Sequence, residues 1–314
     1  MIERNQTYFA DIVLLGLEGP LGVRIIIFLM FFIVYMVTLG GNSLIMVLVL
    51  ITYRLQSPMY FFLCHLSIMD IIISSNVVPV LLYVTLTGRG TISFSSCLTQ
   101  LFFFGLSADV ECLLLTVMSY DRFLAICNPL HYKSIMVPKL QLLMVMCCWL
   151  VGLAIASLVI VHILELQFCG ANIIDHFFCD LDPLLDSSCS DTSLVRTEIL
   201  VAGIPVTVFA VVFIVVTYIC IFCTIFGRST TTTNGRKKAF STCSSHLTVV
   251  CIYYGTLISN YIIPMAGQTV NLTKYLSLLY TVITPLLNPL IYTLRNQEIR
   301  SALVGYTSKL VDQF

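Results

Sequence analysis

Charge is what this sequence has least of. Acidic and basic side chains make up 10% of its 314 residues and hydrophobic ones 58%, against about 25% and roughly 45–50% in an average soluble domain. A water-soluble fold of this size is therefore excluded. The sixteen Lys and Arg cancel the sixteen Asp and Glu, which leaves no basic surface broad enough to grip a nucleic-acid backbone. No nucleic-acid partner is expected. Internal repeats are lacking too, and the only low-complexity stretch is the short run from Ser229 to Gly235. No nucleophile and base come together in a recognisable motif, so the chain does not read as an enzyme. The opening residues MIERNQTYFADIV hold no apolar core long enough for a cleaved signal peptide. The first apolar run is expected to serve as an uncleaved targeting signal.

What the sequence does have is seven apolar runs, near 25–51, 58–84, 97–122, 140–163, 197–227, 237–264 and 273–294, each long enough to cross a hydrocarbon core of ~30 Å. Each is expected to be a helix, because backbone exposed to lipid must satisfy its own hydrogen bonds. The expected fold is an all-α membrane protein: a seven-helix bundle over 25–294, an extracellular N-terminus over 1–24, and a cytoplasmic tail over 295–314 with a short amphipathic helix. Basic residues set the orientation. With the N-terminus outside, the inner side holds Arg54, Arg122, Lys133, Lys139, Arg228, Arg236, Lys237, Lys238, Arg295, Arg300 and Lys309, and the outer side only Arg4, Arg24, Arg89, Arg196 and Lys274. Asn5, in Asn5-Gln6-Thr7, then becomes an accessible glycosylation acceptor, whereas Asn271-Leu272-Thr273 lies where the membrane hinders access.

Most of the thirteen cysteines fall inside the runs, where a thiol acts as a small apolar side chain. Four stand apart on the outer side: Cys97 at the outer start of the third run, and Cys169, Cys179 and Cys189 in the long acidic loop near 164–196. They face the oxidising compartment, where four thiols allow three disulfide connectivities. Their spacing does not choose among these.

Four strings are more specific than composition. LQSPMYFFLCHLSIMD (55–70) opens the second run, MSYDRFLAICNPLHY (118–132) closes the third, KAFSTCSSHLTVV (238–250) begins the sixth and PLLNPLIYTLRN (285–296) ends the seventh. Together the chain resembles an olfactory receptor, within the rhodopsin-like G-protein-coupled receptors, from the Gly41-Asn42 pair to the start of the tail. It departs from the usual pattern at Phe123, where a tyrosine is usual, and at His65, where an asparagine is common. Like olfactory receptors generally, it has Tyr253-Tyr254-Gly255 in place of a tryptophan-proline switch.

The resemblance implies a receptor for small, mostly apolar volatile molecules, coupled to a stimulatory olfactory-type heterotrimeric G protein and the cyclic-AMP pathway, in the multi-pass plasma membrane of sensory cilia. It places the ligand among Phe104, Gly105, Ala108, Asp109, Ala202, Val206, Tyr254, Ile258, Tyr261 and Tyr280, and the coupling machinery at Asp121, Arg122, Tyr218, Asn288, Pro289 and Tyr292. Lys237 and Lys238 are expected to meet lipid phosphate or the G protein, and His246 to act as a hydrogen-bonding hinge partner or as plain packing.

Charges within lipid are costly and mark function by default. At 100° per residue, Glu111 and Arg122 fall about 20° off a shared face, with Asp109 about 200° from Glu111. Asp70 and Glu111 resemble the family's paired acids. They share a proton, hold a sodium ion, or form a hydrogen-bonded core pair with no switching role. No other cofactor or metal is expected. Asp109 either meets the ligand or bonds a neighbouring helix. Two other functions fit the same residues: a receptor for a non-odorant small molecule in non-olfactory tissue, and, remotely, a secondary transporter with Asp70, Glu111 and Arg122 as a relay. The transporter would need paired repeats or broken helices, and neither is visible.

Overall fold

The computed structural model describes residues 11–17, 19–169, 172–227, 233–265, 270–295 and 298–304. Asn5 lies outside them, and so do the side chains of Lys237, Lys238 and Tyr261. Seven long helical segments form a bundle. Spans one to four are Leu21–Ile51, Pro58–Thr87, Phe94–Cys127 and Pro138–Leu164, span five is Ser193–Gly227, and span six is Thr233–Met265. Span seven runs through Val270–Leu278, a π-turn at Leu279–Ile283, and Thr284–Arg295. Residues 298–304 are again helical.

Each span starts or breaks where its sequence demands it. Pro58 and Pro138 open spans two and four at a position where the missing N–H costs nothing. Gly88 ends span two in a left-handed conformation at φ 85°. Ser93 caps span three, its hydroxyl accepting from the Ser96 N–H. Spans five and seven each contain a π-turn just ahead of a proline, Ile199–Gly203 before Pro205 and Leu279–Ile283 before Pro285, as expected where the i to i−4 ladder is interrupted.

Spans two and three form the centre. Leu63, Leu66, Met69, Leu114, Leu115 and Met118 are buried between them and their neighbours. Span one lies at the edge and shows Ile26, Ile33 and Leu50 outward, as an apolar face toward lipid should. Its buried Asn42 reaches inward instead. Pro289 has no N–H, so the Pro285 carbonyl lacks a helical partner, and Asn42 Nδ2 supplies one at 3.2 Å. Neighbouring Gly41 permits this approach, since a Cβ there would sit 3.1 Å from the Pro289 ring.

One end of the bundle carries a roof. Strand β1 (Asp11–Leu15) pairs antiparallel with β2 (Arg89–Ser93) and parallel with β3 (Ile173–Ile174), in the order β2-β1-β3. Ile12 and Leu14, two apart as strand periodicity requires, point into the protein. Disulfides Cys97–Cys179 and Cys169–Cys189 fix the long loop beneath this sheet, with Cα atoms 5.3 and 5.8 Å apart. This is one of the three connectivities that spacing left open.

Candidate functional site

The roof descends into the bundle through aromatic rings. Phe177 and Phe178 are fully buried, and His176 packs against both at 4.5 Å. Phe178 meets Phe104 at 5.1 Å, Phe104 meets Tyr280 edge-on at 5.6 Å, Tyr280 meets Tyr253 at 5.8 Å, and Tyr253 meets Tyr254 at 5.0 Å. The last two rings end on the backbone of span three. Tyr253 donates to the Ala108 carbonyl at 2.6 Å and Tyr254 to that of Cys112 at 3.2 Å. A continuous ladder thus joins the long loop to spans three, seven and six.

Of the lining positions expected from the sequence, Phe104, Ala108, Tyr254 and Tyr280 meet in this ladder. Ala202 and Val206 are half-buried on span five, and Ile258 is exposed on span six. Gly105 leaves room toward span four, a Cβ there coming no closer than 4.0 Å to Ala156. The Cβ of Asp109 lies 3.4 Å from where a Cβ on Gly152 of span four would be, and its carboxyl is close enough to Cys112 for the two to interact.

Below the ladder sit the two acids. Asp70 accepts two bonds from Asn288 Nδ2, at 2.9 and 3.1 Å, and lies close enough to Glu111 for their charges to interact. Three buried oxygens on these turns have no hydrogen-bond partner: Glu111 Oε1, Ser107 Oγ one turn above it on span three, and Ser74 Oγ one turn above Asp70 on span two. Tyr292 is buried one turn beyond Asn288.

At the end opposite the roof, Asp121 binds Arg122 through both Nε and Nη2. Its other oxygen accepts from Tyr132 at 2.7 Å. Tyr132 begins a helical turn, Tyr132–Ile135, between spans three and four, so the ion pair is tethered to a loop. The Tyr218 hydroxyl of span five lies 2.7 Å from His246 Nδ1 of span six, with the rings stacked at 5.9 Å. His246 therefore bonds across the helix interface as well as packing there. Tyr60 of span two donates to Glu298 of the tail helix at 2.8 Å.

Several residues here escape sequence reasoning. Lys274, read only as an outer charge, is buried and donates to the Gly16 carbonyl at 2.9 Å and to Asp175 at 2.8 Å, which ties span seven, the β1 segment and the long loop together. Burial and the Lys274 charge push His176 down to about 3, and burial pushes Asp180 up to about 6. The two side chains stand 3.9 Å apart, too far for a hydrogen bond, and His176, held near 3, is neutral at physiological pH, so they do not form an ion pair. His162 and Glu198 link spans four and five at 2.6 Å. Tyr132 had a signal in the motif, but it lies past the end of span three at Cys127, so no helical spacing rule links it to its partner Asp121.

Compared with known proteins, residues 31–309 match the family described as "Olfactory receptor". Human olfactory receptor 6X1 is 42% identical over 300 residues, and human olfactory receptor 5G3 is 43% identical over 302, each alignment covering 96% of this chain and 96% of the relative. Rat olfactory receptor 1f45 is 43% identical over 303 residues with the same coverage. The crystal structure of squid rhodopsin superposes with a TM-score of 0.70 at 17% identity, covering 94% of this chain and 88% of that one. This likeness supports the seven-helix fold, while the sequence matches, which include the span-three and span-seven motifs, carry the family. The chain is a multi-pass membrane receptor of the olfactory receptor family and not an enzyme.

Proposed function

We propose that this receptor binds small apolar volatile molecules beneath the roof, between spans three, five, six and seven, and answers by activating a stimulatory heterotrimeric G protein of the cyclic-AMP pathway. The roof end and residues 1–24 face outward, Arg122 and the tail face the cytoplasm, and sensory cilia are the site of action. The observation that carries this reading is the aromatic ladder. It runs from the loop over the pocket to Tyr253 and Tyr254, whose hydroxyls rest on span three. A molecule wedged among these rings shifts span six against span three; at the other end His246 of span six is held by Tyr218 of span five, and Arg122 of span three by its neighbour Asp121.

A volatile ligand burying ~200 Å² of apolar surface gains about 5 kcal/mol. Moving a two-state equilibrium from 1:99 to 99:1 takes about 5.5 kcal/mol of differential binding. Most agonists are accordingly partial, or the resting equilibrium is less skewed than that. On activation Arg122 leaves Asp121 and contacts the G protein. Arginine suits the role because it stays charged when partly desolvated.

The acid pair fits a sodium ion. Asp70, Glu111, Ser74 and Ser107 offer a buried, all-oxygen donor set in which three oxygens have no hydrogen-bond partner, the chemistry a hard cation takes. Bound there, the ion would supply a positive charge to hold both carboxylates ionised. Asn288 orients Asp70 in either state. Exchange of sodium for choline in the buffer should change ligand-free signalling of the native receptor, and Asp70→Asn should abolish that sensitivity.

The decisive experiment is a cyclic-AMP assay of the surface-expressed receptor against a chemically diverse odorant panel, with Arg122→Ala as control. Agonist responses that vanish in Arg122→Ala at equal surface level are expected. Silence of the native receptor across the panel would overturn the reading. Asp109→Asn decides between the two roles open to that acid: a shifted agonist profile assigns it to the ligand, and an unchanged one to a bond with a neighbouring helix.

A further inference from the structure

The pocket proposed above is poor in free polar groups. Tyr253 and Tyr254 both spend their hydroxyl protons on span-three carbonyls. Glu198 is different. Its Oε2 accepts a bond from His162 Nδ1 at 2.6 Å, which fixes the plane of the carboxyl, while its Oε1 is shielded from solvent and has no hydrogen-bond partner. Only 12% of the side chain is exposed. A buried acceptor left bare costs about 1–3 kcal/mol, so this oxygen is ready for a donor.

Its position says where the donor comes from. Glu198, Ala202 and Val206 follow at four-residue intervals along span five, and the π-turn Ile199–Gly203 lies between the first two. The extra residue in a π-turn offsets the drift that four-residue steps accumulate along an α-helix, so the three stand in one line. Two of them are the span-five positions proposed to line the pocket, and Glu198 is the uppermost, next to span four and under the disulfide-bonded loop.

Resting on the pocket reading of the previous section, we propose that Glu198 is the ligand's polar anchor: its free oxygen accepts a hydrogen bond from the hydroxyl or amine of the odorant, while His162 positions the carboxyl. The receptor therefore favours small molecules that pair an apolar body with a single O–H or N–H donor. Carbonyls, ethers and hydrocarbons of the same size, which leave the oxygen bare, bind less well. The reasoning is that of any site built to bond a polar group, which rejects the analogue lacking it.

The test is a set of dose–response curves for straight-chain primary alcohols, primary amines, methyl ketones and methyl ethers of equal carbon number on the surface-expressed receptor. Alcohols and amines should act at concentrations about tenfold or more below the ketones and ethers, the ratio of one hydrogen bond. Glu198→Ala should erase that advantage and leave ether potency within about twofold. Glu198→Gln, which keeps the shape, should retain the alcohol response but weaken the amine about tenfold, because the bond to a cation is charge-assisted. His162→Gln should shrink the donor advantage without abolishing it. Equal potency of all four series on the native receptor overturns the proposal, and so does an equal rightward shift of all four in Glu198→Ala. If Glu198→Ala fails to reach the surface, Glu198→Gln decides: an unchanged amine-to-alcohol ratio overturns it. Silence to every series would overturn the pocket reading as well.

Discussion

The two ends of this receptor are built on opposite principles. The roof end is held by two disulfides, a three-stranded sheet and a buried lysine that bonds two other segments. The opposite end is held by individual side-chain bonds: Asp121 with Arg122 and Tyr132, Tyr218 with His246, Tyr60 with Glu298. Covalent links and a sheet keep one arrangement. Single hydrogen bonds, each contributing about 0.5–1.5 kcal/mol net and about 1.5–3 when charged, can be exchanged within the energy a small ligand supplies. A rigid roof end over a labile opposite end is what the proposed switch, driven by a small ligand, needs.

Breaking the stapled end should have the largest consequence. Cys97→Ser removes a link across 82 residues and Cys169→Ser one across 20. Loss of a native disulfide costs about 2–5 kcal/mol, with the longer loop costing more. Surface expression and thermal stability in detergent should fall in both variants and further in Cys97→Ser. Equal losses would mean that the roof does not depend on the longer link.

Next in size is the join between the two ends. Asn42→Ala leaves the Pro285 carbonyl bare and should lower stability by about 1–3 kcal/mol, read as a reduced Tm. A stable variant would show that the carbonyl finds another donor. At the labile end, Tyr132→Phe removes one bond to Asp121 and frees the loop that tethers it. Ligand-free signalling should rise, by up to about tenfold, with little change in Tm. A drop in Tm with no rise in signalling would make that end structural, like the roof.

The smallest and sharpest effect is in pH. His176 is held near 3 against an ordinary 6.5, so the unfolded chain binds the extra proton and acidification below about 6.5 weakens the roof. Asp180 is held near 6 against an ordinary 3.8, so the folded chain binds the proton and acidification below about 6 strengthens it. In the native receptor the two oppose each other. Relative to it, His176→Gln should raise Tm at pH 5 compared with pH 7.5, and Asp180→Asn, which keeps the cap on Leu181, should lower it. Parallel changes in both variants would contradict this balance.

These regions differ as much in legibility. The tail-end groups stand in continuous motifs on helices whose period the apolar pattern reveals, so Asp121, Arg122, Asn288 and Tyr292 can be singled out from the string. The shared face of Glu111 and Arg122 follows from helical geometry alone. At the roof the strands are too short for their alternation to be read from the string. The sheet assembles from three short segments that are polar or unremarkable by themselves, and its strand β3 has two residues. Lys274 looks like one more outer charge until Gly16, 258 positions away, comes to lie beside it.

Composition and local pattern alone pointed to the solvent and the number of crossings, because lipid leaves a backbone no alternative to the helix and leaves few places for a charge, while the family rested on the resemblance of four motif strings. Tertiary structure alone decided which cysteines pair, that Lys274 is buried against Gly16 and Asp175, that His176 stays neutral beside Asp180, and that one oxygen of Glu198 is free. Each of these depends on what a distant segment brings within bonding distance, and side-chain hydrogen bonding, unlike hydrophobic burial, acts only at contact.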